Sequence, residues 1–450
     1  MNVVMIVSDT FRRDHMGCYG NRWISTPVLD AFAKESSVFE RAYAASFPTI
    51  PNRYDCFTGK YGFPFRGWAP LPEEEMTLAE RLTRAGYVTQ LIVDTPHMMS
   101  GGFRFERGFR GWDWTRGQEG DRFVTGANFR IEFECNRKKM RANGALTHQH
   151  RLNTYYWKEE SDRFVAQTMT KACRWLEQNH EAKKFFLWID AFDPHEPWDP
   201  PEYFTNMYAP QNYRGQKIYH PNYDFTGYLT KGELAYSHAT YCGELTLVDK
   251  WVGTVLRKID DLGLRDTTAV FFTTDHGFYH GEHGRIGKHT IGGEPWALYE
   301  EVAHIPLIVR MPGQTRGKGV NTAVQPPDLM PTILDLCGVR KPKGMHGISF
   351  APALRGKAIA GRRQTFTAGG FKDAKGHLNT PVTVTSGRWS LILGVRTKFL
   401  ELYDIKADPG QKRNVVKKHP QVVRRLYRAF MGFLNDLNAD AQKFEDYPGI

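Results

Sequence analysis

Four short apolar runs, each meeting an acidic residue at or just past its end, constrain this chain more than any other feature. Residues 3–7 lead to Asp9, 87–93 to Asp94, and 268–273 to the pair Asp275-His276; residues 185–192 contain Asp190 and lead on to His195. Runs of this length are buried strands rather than helices. Between them lie stretches of helical spacing. One covers 76–85 and stops at Gly86; another covers 161–179, with Phe164, Val165, Met169, Ala172, Trp175 and Leu176 on one face. Thr26-Pro27 suits the start of a helix through about residue 36, and a further strand is expected over 38–45. Such alternation predicts an α/β fold, a sheet covered by helices on both faces. Open α/β sheets place their chemistry at the carboxyl ends of strands, where Asp9, Thr49, Asp94, Asp190, His195, Asp275 and His276 recur.

Composition narrows the partner. With 60 Lys+Arg against 49 Asp+Glu the chain of 450 residues carries a net charge of +11, while 41% hydrophobic and 24% charged residues are ordinary globular values. Disorder, collagen and coiled coil are excluded. A positive balance suits a small anionic substrate. Nucleic acid is not expected, because the densest basic cluster (Arg137, Lys138, Lys139, Arg141) lacks interleaved aromatics and no nucleic-acid motif is present. No apolar run approaches the roughly 20 residues of a membrane span, so no membrane partner is expected. The opening MNVVMIVSDT suits a first core strand better than a signal peptide, which predicts a cytoplasmic protein. Cys18, Cys56, Cys135, Cys173, Cys242 and Cys337 are widely spaced and expected to be reduced. A homo-oligomer is left open.

Two stretches rich in Gly, Arg, Asn, Tyr and Pro, 98–155 and 199–235, break the alternation and are expected to be insertions that shape specificity. After about residue 355 short strands at 382–385, 389–393 and 400–403 and a helix at 420–437 predict a small C-terminal α+β subdomain. The expected division is 1–355 and 356–450.

Three segments carry chemistry. In the first, Thr49 follows a strand and opens a helix, whose free N–H groups favour an anion, and Arg53 lies one turn on along the same face. An ordinary N-cap threonine is the bland alternative. In the second, Thr274-Asp275-His276-Gly277 precedes Gly281-Glu282-His283-Gly284 and Lys288; with Asp9, this donor set suits a divalent metal. In the third, prolines on both sides of His195 stiffen a loop in the way a general acid requires. A second metal site from Asp190, His195 and His346 fits the spacing poorly. Arg12 and Asp14 are expected to form a structural ion pair.

These residues resemble the sulfatases and phosphonate monoester hydrolases of the alkaline phosphatase superfamily. Residues 9–20 look like the opening metal motif of that family, and 49–59 match its C/S-x-P-S-R-x4-T-G signature in spacing, Arg53 and Thr58-Gly59 included. Residues 193–198, 281–288, 331–336 and 401–404 resemble further blocks in the same order. The resemblance implies a large mixed β-sheet flanked by helices. It also implies metal ligands Asp9, Asp275 and His276, with Thr49 as nucleophile and fourth ligand. Arg53 would stabilise the nucleophile, and His195 and Lys288 would contact the substrate's oxygens and leaving group.

Three departures shape the expected function. Thr49 stands where sulfatases carry the cysteine or serine that becomes formylglycine, and threonine cannot yield that aldehyde. A sulfated threonine lacks the exit by C–O cleavage that a hydrated aldehyde provides, whereas a phosphorylated threonine is hydrolysed at phosphorus. Thr10 replaces a second aspartate, so Mn²⁺ or Zn²⁺ suits the site better than Ca²⁺, with Fe²⁺ also compatible. No lysine follows strand 87–93; Thr95 and His97 stand there, and with Thr10 they are expected to bind substrate. The expectation is a metal-dependent hydrolase of phosphodiesters or phosphonate monoesters working through phospho-threonine. The alternatives are a sulfatase acting without formylglycine and a silent anion-binding homologue.

Overall fold

The computed structural model describes residues 1–288, 296–357, 359, 361–370, 381–394 and 400–439. An eight-stranded sheet forms its centre, in the spatial order Lys318–Val320, Ser37–Phe39, Leu307–Arg310, Thr268–Thr273, Asn2–Ser8, Phe185–Ala191, Val88–Val93, Gly111–Trp114. Leu307–Arg310 runs antiparallel to both its neighbours and the remaining pairs are parallel, so the sheet is mixed, as the resemblance implies.

Central strands are buried throughout and mostly apolar because both faces are covered. Val4 and Ile6 of the first strand pack into one core with Leu187 and Ile189, beneath the helices Phe164–Asn179 and Lys231–Asp261. Val3, Met5 and Val7 point the other way, to a core with Phe186 and Trp188 under the helices Thr49–Thr58, Leu78–Arg84 and Leu329–Leu336. The period of two along a strand produces this division.

Register sets the level of the site. Val7 lies beside both Asp190 and Thr273, and Val93 beside Asp190. The residues just beyond these strands, Asp9, Asp94-Thr95 and Thr274-Asp275, therefore emerge at one height on one edge.

Two expectations need correction. The strand expected over 38–45 covers only Ser37–Phe39; the chain then leaves the large sheet through isolated bridges at Ala42 and Tyr43. It enters a second, five-stranded sheet as Ser46–Phe47, beside Thr365–Gly369. A β-rich run thus serves two sheets rather than one. The expected insertion 98–155 also contains a true edge strand of the large sheet, Gly111–Trp114, whose residues are half-buried or exposed and so lack an apolar run. The rest of it zips onto the second insertion: Arg141 N–H donates to His220 O (3.0 Å) and Asn222 N–H to Lys139 O (3.1 Å).

The smaller sheet also contains Val382–Ser386, Trp389–Leu393 and Leu400–Asp404. It is covered by the helix Pro420–Asp436, whose Val423, Leu426, Phe430 and Leu434 complete a third core. Residues 358, 360, 371–380, 395–399 and 440–450 of the expected C-terminal unit lie outside the described residues.

Candidate active site

The helix Thr49–Thr58 begins directly after the strand Ser46–Phe47, and every residue in it is buried. Asn52 anchors it, donating from its side-chain amide to Asp275 O (3.2 Å). Arg53, one turn from buried Thr49 on the same face, sends its guanidinium into three carboxylates. Nε and Nη2 donate to Asp190 (3.0 and 2.8 Å), Nη2 lies 3.3 Å from Asp9 and Nη1 2.8 Å from Asp275. All four side chains are fully buried. A buried guanidinium is tolerated when carboxylates match its fork in this way.

Asp9, Asp275 and His276 bring one ligand atom each within 4.8 Å of one another. His276 Nδ1 lies 2.9 Å from Gly277 O, so Nδ1–H donates there and Nε2 keeps its lone pair. Buried His276 Nε2 has no hydrogen-bond partner, and Asp275 Oδ2 is ion-paired with Arg53 Nη1 but accepts no aligned hydrogen bond. An imidazole nitrogen with a free lone pair, set beside the carboxylates of Asp275 and Asp9, fits a divalent cation. Burial and the neighbouring Asp275 push the Asp9 carboxyl well above its usual range. Burial would also raise Asp275, but His276 and Arg53 beside it pull it below. Burial lowers His276 to about 3, which keeps the imidazole neutral, the form that ligates.

Thr10 adopts φ +63°, a left-handed conformation that is costly for a β-branched residue. It is held there by its N–H donating to Asp275 Oδ1 (3.0 Å) and its hydroxyl donating to Asp9 Oδ1 (2.7 Å). Lys288 reaches the same hydroxyl from the opposite side, Nζ to Oγ1 3.4 Å. Thr10, expected to bind substrate, therefore bridges the carboxylates and Lys288.

His195 is buried, stacked on Phe192 at 3.9 Å, with Nδ1 2.6 Å from Glu196 O. Nδ1–H donates to that carbonyl, which leaves Nε2 as an acceptor. Burial, then Lys288 and Arg141, hold this imidazole well below its ordinary value. The sequence reading made it a general acid; in this geometry it is a neutral ring with no proton at Nε2 to give.

Thr95 was expected among the substrate contacts. Its hydroxyl instead donates to Asp190 Oδ1 (2.7 Å), and Trp188 Nε1 donates to Oδ2 (2.9 Å), so both fix the carboxylate that fixes Arg53. Asp94 is likewise structural, accepting from Phe192 N–H (2.5 Å) and the Thr168 hydroxyl (2.9 Å). His346 lies elsewhere, its Nδ1 3.0 Å from Tyr61 N, and Asp190 is bound to Arg53, which dissolves the alternative second metal site. The expected Arg12–Asp14 pair is present at 2.5 Å.

A group that sequence reasoning missed lies beside His195. Arg141 Nη1 is 3.1 Å from both Glu119 and Glu196, and Tyr223 donates its hydroxyl to Glu196. His97 lies 3.2 Å from Glu119. Glu196 is fully buried with Oε2 unpartnered, and burial raises its carboxyl. Arg141 and Glu119 come from the first insertion and Tyr223 from the second, so only the folded chain unites them. The basic cluster at 137–141 was their one trace in the sequence.

A candidate cation site of two aspartates and a histidine, with a helix-borne threonine and a clamped arginine at the edge of a mixed sheet, is consistent with the alkaline phosphatase superfamily class of hydrolase. The chain belongs to the sulfatase family: the model described as "Sulfatase" matches residues 1–339, and that described as "N-sulphoglucosamine sulphohydrolase, C-terminal" matches 281–435. It is 25% identical to an arylsulfatase of Clostridium perfringens over 92% of this chain and 90% of that one. It is 26% identical to the multifunctional alkaline phosphatase superfamily protein PehA of Trinickia caryophylli, covering 83% of this chain and 80% of that one. The phosphonate monoester hydrolase of Agrobacterium radiobacter shares the fold, with a TM-score of 0.75 at 20% identity over 98% of this chain and 96% of that one. No helix among the described residues is long and apolar enough to cross a membrane.

Proposed function

We propose that this sulfatase-family chain hydrolyses phosphodiesters or phosphonate monoesters through a covalent phospho-threonine at Thr49. The observation that carries this reading is the threonine itself, heading a buried helix whose Arg53 is clamped beside an intact Asp9–Asp275–His276 donor set. A degenerate anion-binding homologue would have lost buried charges before it lost anything else, because unpaired they are costly.

Asp9, Asp275 and His276, with the Thr49 hydroxyl, would hold one divalent ion; two carboxylates, one imidazole and a hydroxyl suit Mn²⁺ or Zn²⁺. When bound, the ion supplies Lewis-acid charge that lowers the pKa of the hydroxyl and neutralises a phosphoryl oxygen. Thr49 Oγ1 gives its proton to solvent and attacks phosphorus in line, forming the new O–P bond as the bond from phosphorus to the ester oxygen breaks. Arg53 faces the charge that develops there and cannot swing away, because Asp190 holds its Nε and one Nη. Lys288 supplies a proton to the departing oxygen. His195, neutral and open at Nε2, accepts a hydrogen bond from the substrate or the attacking water. Water then cleaves the phospho-threonine at phosphorus and returns the hydroxyl.

Sulfate-ester hydrolysis is the second reading, favoured by the family model and by the arylsulfatase relative. Parallel kinetics on bis-p-nitrophenyl phosphate, a p-nitrophenyl phosphonate and p-nitrophenyl sulfate, with Mn²⁺ or Zn²⁺, separate the two. Phosphorus esters should be turned over and lose on the order of 10³-fold or more in kcat/KM in Thr49→Ala. A preference for sulfate that depends on Thr49 would overturn the phosphorus reading.

A further inference from the structure

A second cluster of soft donors adjoins the Arg12–Asp14 pair. His15 follows the first strand. His238 and Cys242 are one turn apart on the helix Lys231–Asp261 and so share a face. One ligand atom from each of the three lies within 4.8 Å of the others. Nothing in the ester hydrolysis above uses them.

Their orientations suit a ligand. His15 Nδ1 is 3.0 Å from Asp14 Oδ1, so Nδ1–H donates to the carboxylate and Nε2 points outward, to 2.8 Å from His238 Nε2. A carboxylate behind a histidine is the support that metal-bound imidazoles have. Asp14 is in turn fixed by Arg12 through Nε and Nη2 (2.8 and 2.5 Å). His280 stacks on His238, centroid to centroid 4.7 Å, and is 7% exposed. Both of its ring nitrogens are buried without a hydrogen-bond partner. An orphaned imidazole stacked on one of the three donors, with a second histidine ring 6.3 Å away, is the independent sign that something is held here.

We propose that His15, His238 and Cys242 form a second metal site, selective for Zn²⁺, with His280 turning to take the fourth position. Nitrogen and thiolate donors select Zn²⁺ over the hard cations that carboxylates prefer. Charge closes as well: a thiolate and the carboxylates of Asp14 and Glu282 balance Arg12 and a divalent ion, and Arg12 already bridges both carboxylates. Two nitrogens bound tetrahedrally at about 2.05 Å stand about 3.3 Å apart. The rings of His15 and His238 therefore part slightly on binding. Half-buried His238 gives access from the surface, under Trp23, whose ring lies 5.5 Å from it. The site ties the loop after the first strand to the long helix and to the strand Tyr279–His280.

The full chain, stripped with chelator and titrated with Co²⁺ as a spectroscopic stand-in for Zn²⁺, tests this. A near-ultraviolet thiolate-to-cobalt band is expected. It should vanish in Cys242→Ala and persist in His276→Ala, because the catalytic donor set contains no thiol. Zn²⁺ content after equilibration and desalting should fall by one equivalent in His238→Gln, a half-exposed position where misfolding is least expected; circular dichroism confirms the fold. The proposal is overturned if no band forms, if the band survives Cys242→Ala, or if folded His238→Gln retains as much Zn²⁺ as the parent. None of these readouts depends on which ester is hydrolysed.

Discussion

Replacing Asp190 by asparagine removes one charge and keeps the shape, yet the structure argues that the change is severe. Oδ1 accepts from Arg53 Nη2 (2.8 Å) and Thr95 Oγ1 (2.7 Å); Oδ2 accepts from Arg53 Nε (3.0 Å) and Trp188 Nε1 (2.9 Å). At the Oδ2 end the new amide NH2 would meet two obligate donors, so it takes the Oδ1 end, where the Thr95 hydroxyl turns to accept from it and Arg53 Nη2 is left facing an N–H. One hydrogen bond to the guanidinium is lost, and such a bond contributes about 1.5–3 kcal/mol. Taking one partner from a fully buried pair costs about 3–5 kcal/mol. Arg53 keeps Asp9 and Asp275, so it is drawn toward the metal ligands and away from its working position. A displacement of about 1 Å at a reacting centre costs about 10²-fold in rate. The expected Asp190→Asn protein is therefore destabilised by about 3–5 kcal/mol in urea unfolding and about 10²-fold slower, with the loss in kcat rather than KM. A folded variant with parental kcat on the preferred p-nitrophenyl ester would refute the positioning argument, and an unchanged urea midpoint would refute the energetic one.

Three further outcomes are expected. His276→Ala removes the one nitrogen donor of the catalytic set, so metal bound after desalting should fall by one equivalent and activity should return only with excess Mn²⁺ or Zn²⁺; parental metal content in elemental analysis would count against the ligand assignment. Burial holds His220 at about 3 against an ordinary 6.5, so between those values the unfolded chain binds a proton that the folded chain refuses. That histidine's contribution to stability is complete above pH 6.5 and is lost as the pH falls toward 3. From pH 7 to 5 the parent should thus lose about 2 kcal/mol more than His220→Gln, which unfolding curves at the two values will show or exclude. Arg141→Gln should leave Glu119 and Glu196 buried without their shared cation and destabilise the fold by about 3–5 kcal/mol in urea unfolding; a parental unfolding midpoint would refute the buried-pair argument.

Much of the sheet was legible because its central strands are mostly apolar runs, and those runs end where register places the carboxylates. Asp9, Asp275, His276 and Arg53 could be found from that rule together with helical spacing. What escaped was tertiary. Gly111–Trp114 alternates on a half-exposed edge, so it carries no apolar signal and vanished into an insertion. Ser37–Phe39 and Ser46–Phe47 look like one strand until two different sheets claim them. Asp190 was visible as a strand-end acid, but its role depends on a guanidinium 137 positions earlier. Arg141, Glu119 and Tyr223 lie on loops whose paths local patterns do not dictate. His195 and Thr95 were assigned by position, and only their hydrogen bonds showed a neutral ring and a prop for Asp190.

The strand Asn2–Ser8 leaves the ribosome before both of its partners and sits at the centre of the large sheet. Its two neighbours, Phe185–Ala191 and Thr268–Thr273, follow only after much of the polypeptide has been made. Until then a mostly apolar segment has no edge to join. Pairing across such separations is slow, since loop-closure entropy is lost before any contact compensates it. Synthesis therefore passes through a long interval in which the future centre of the molecule is its most aggregation-prone part. Chains interrupted before Phe185 should depend on chaperones to remain in solution, while those reaching past Thr273 can bury the strand on both sides. The order of translation, as much as the final packing, sets the demand this protein makes on the cell that produces it.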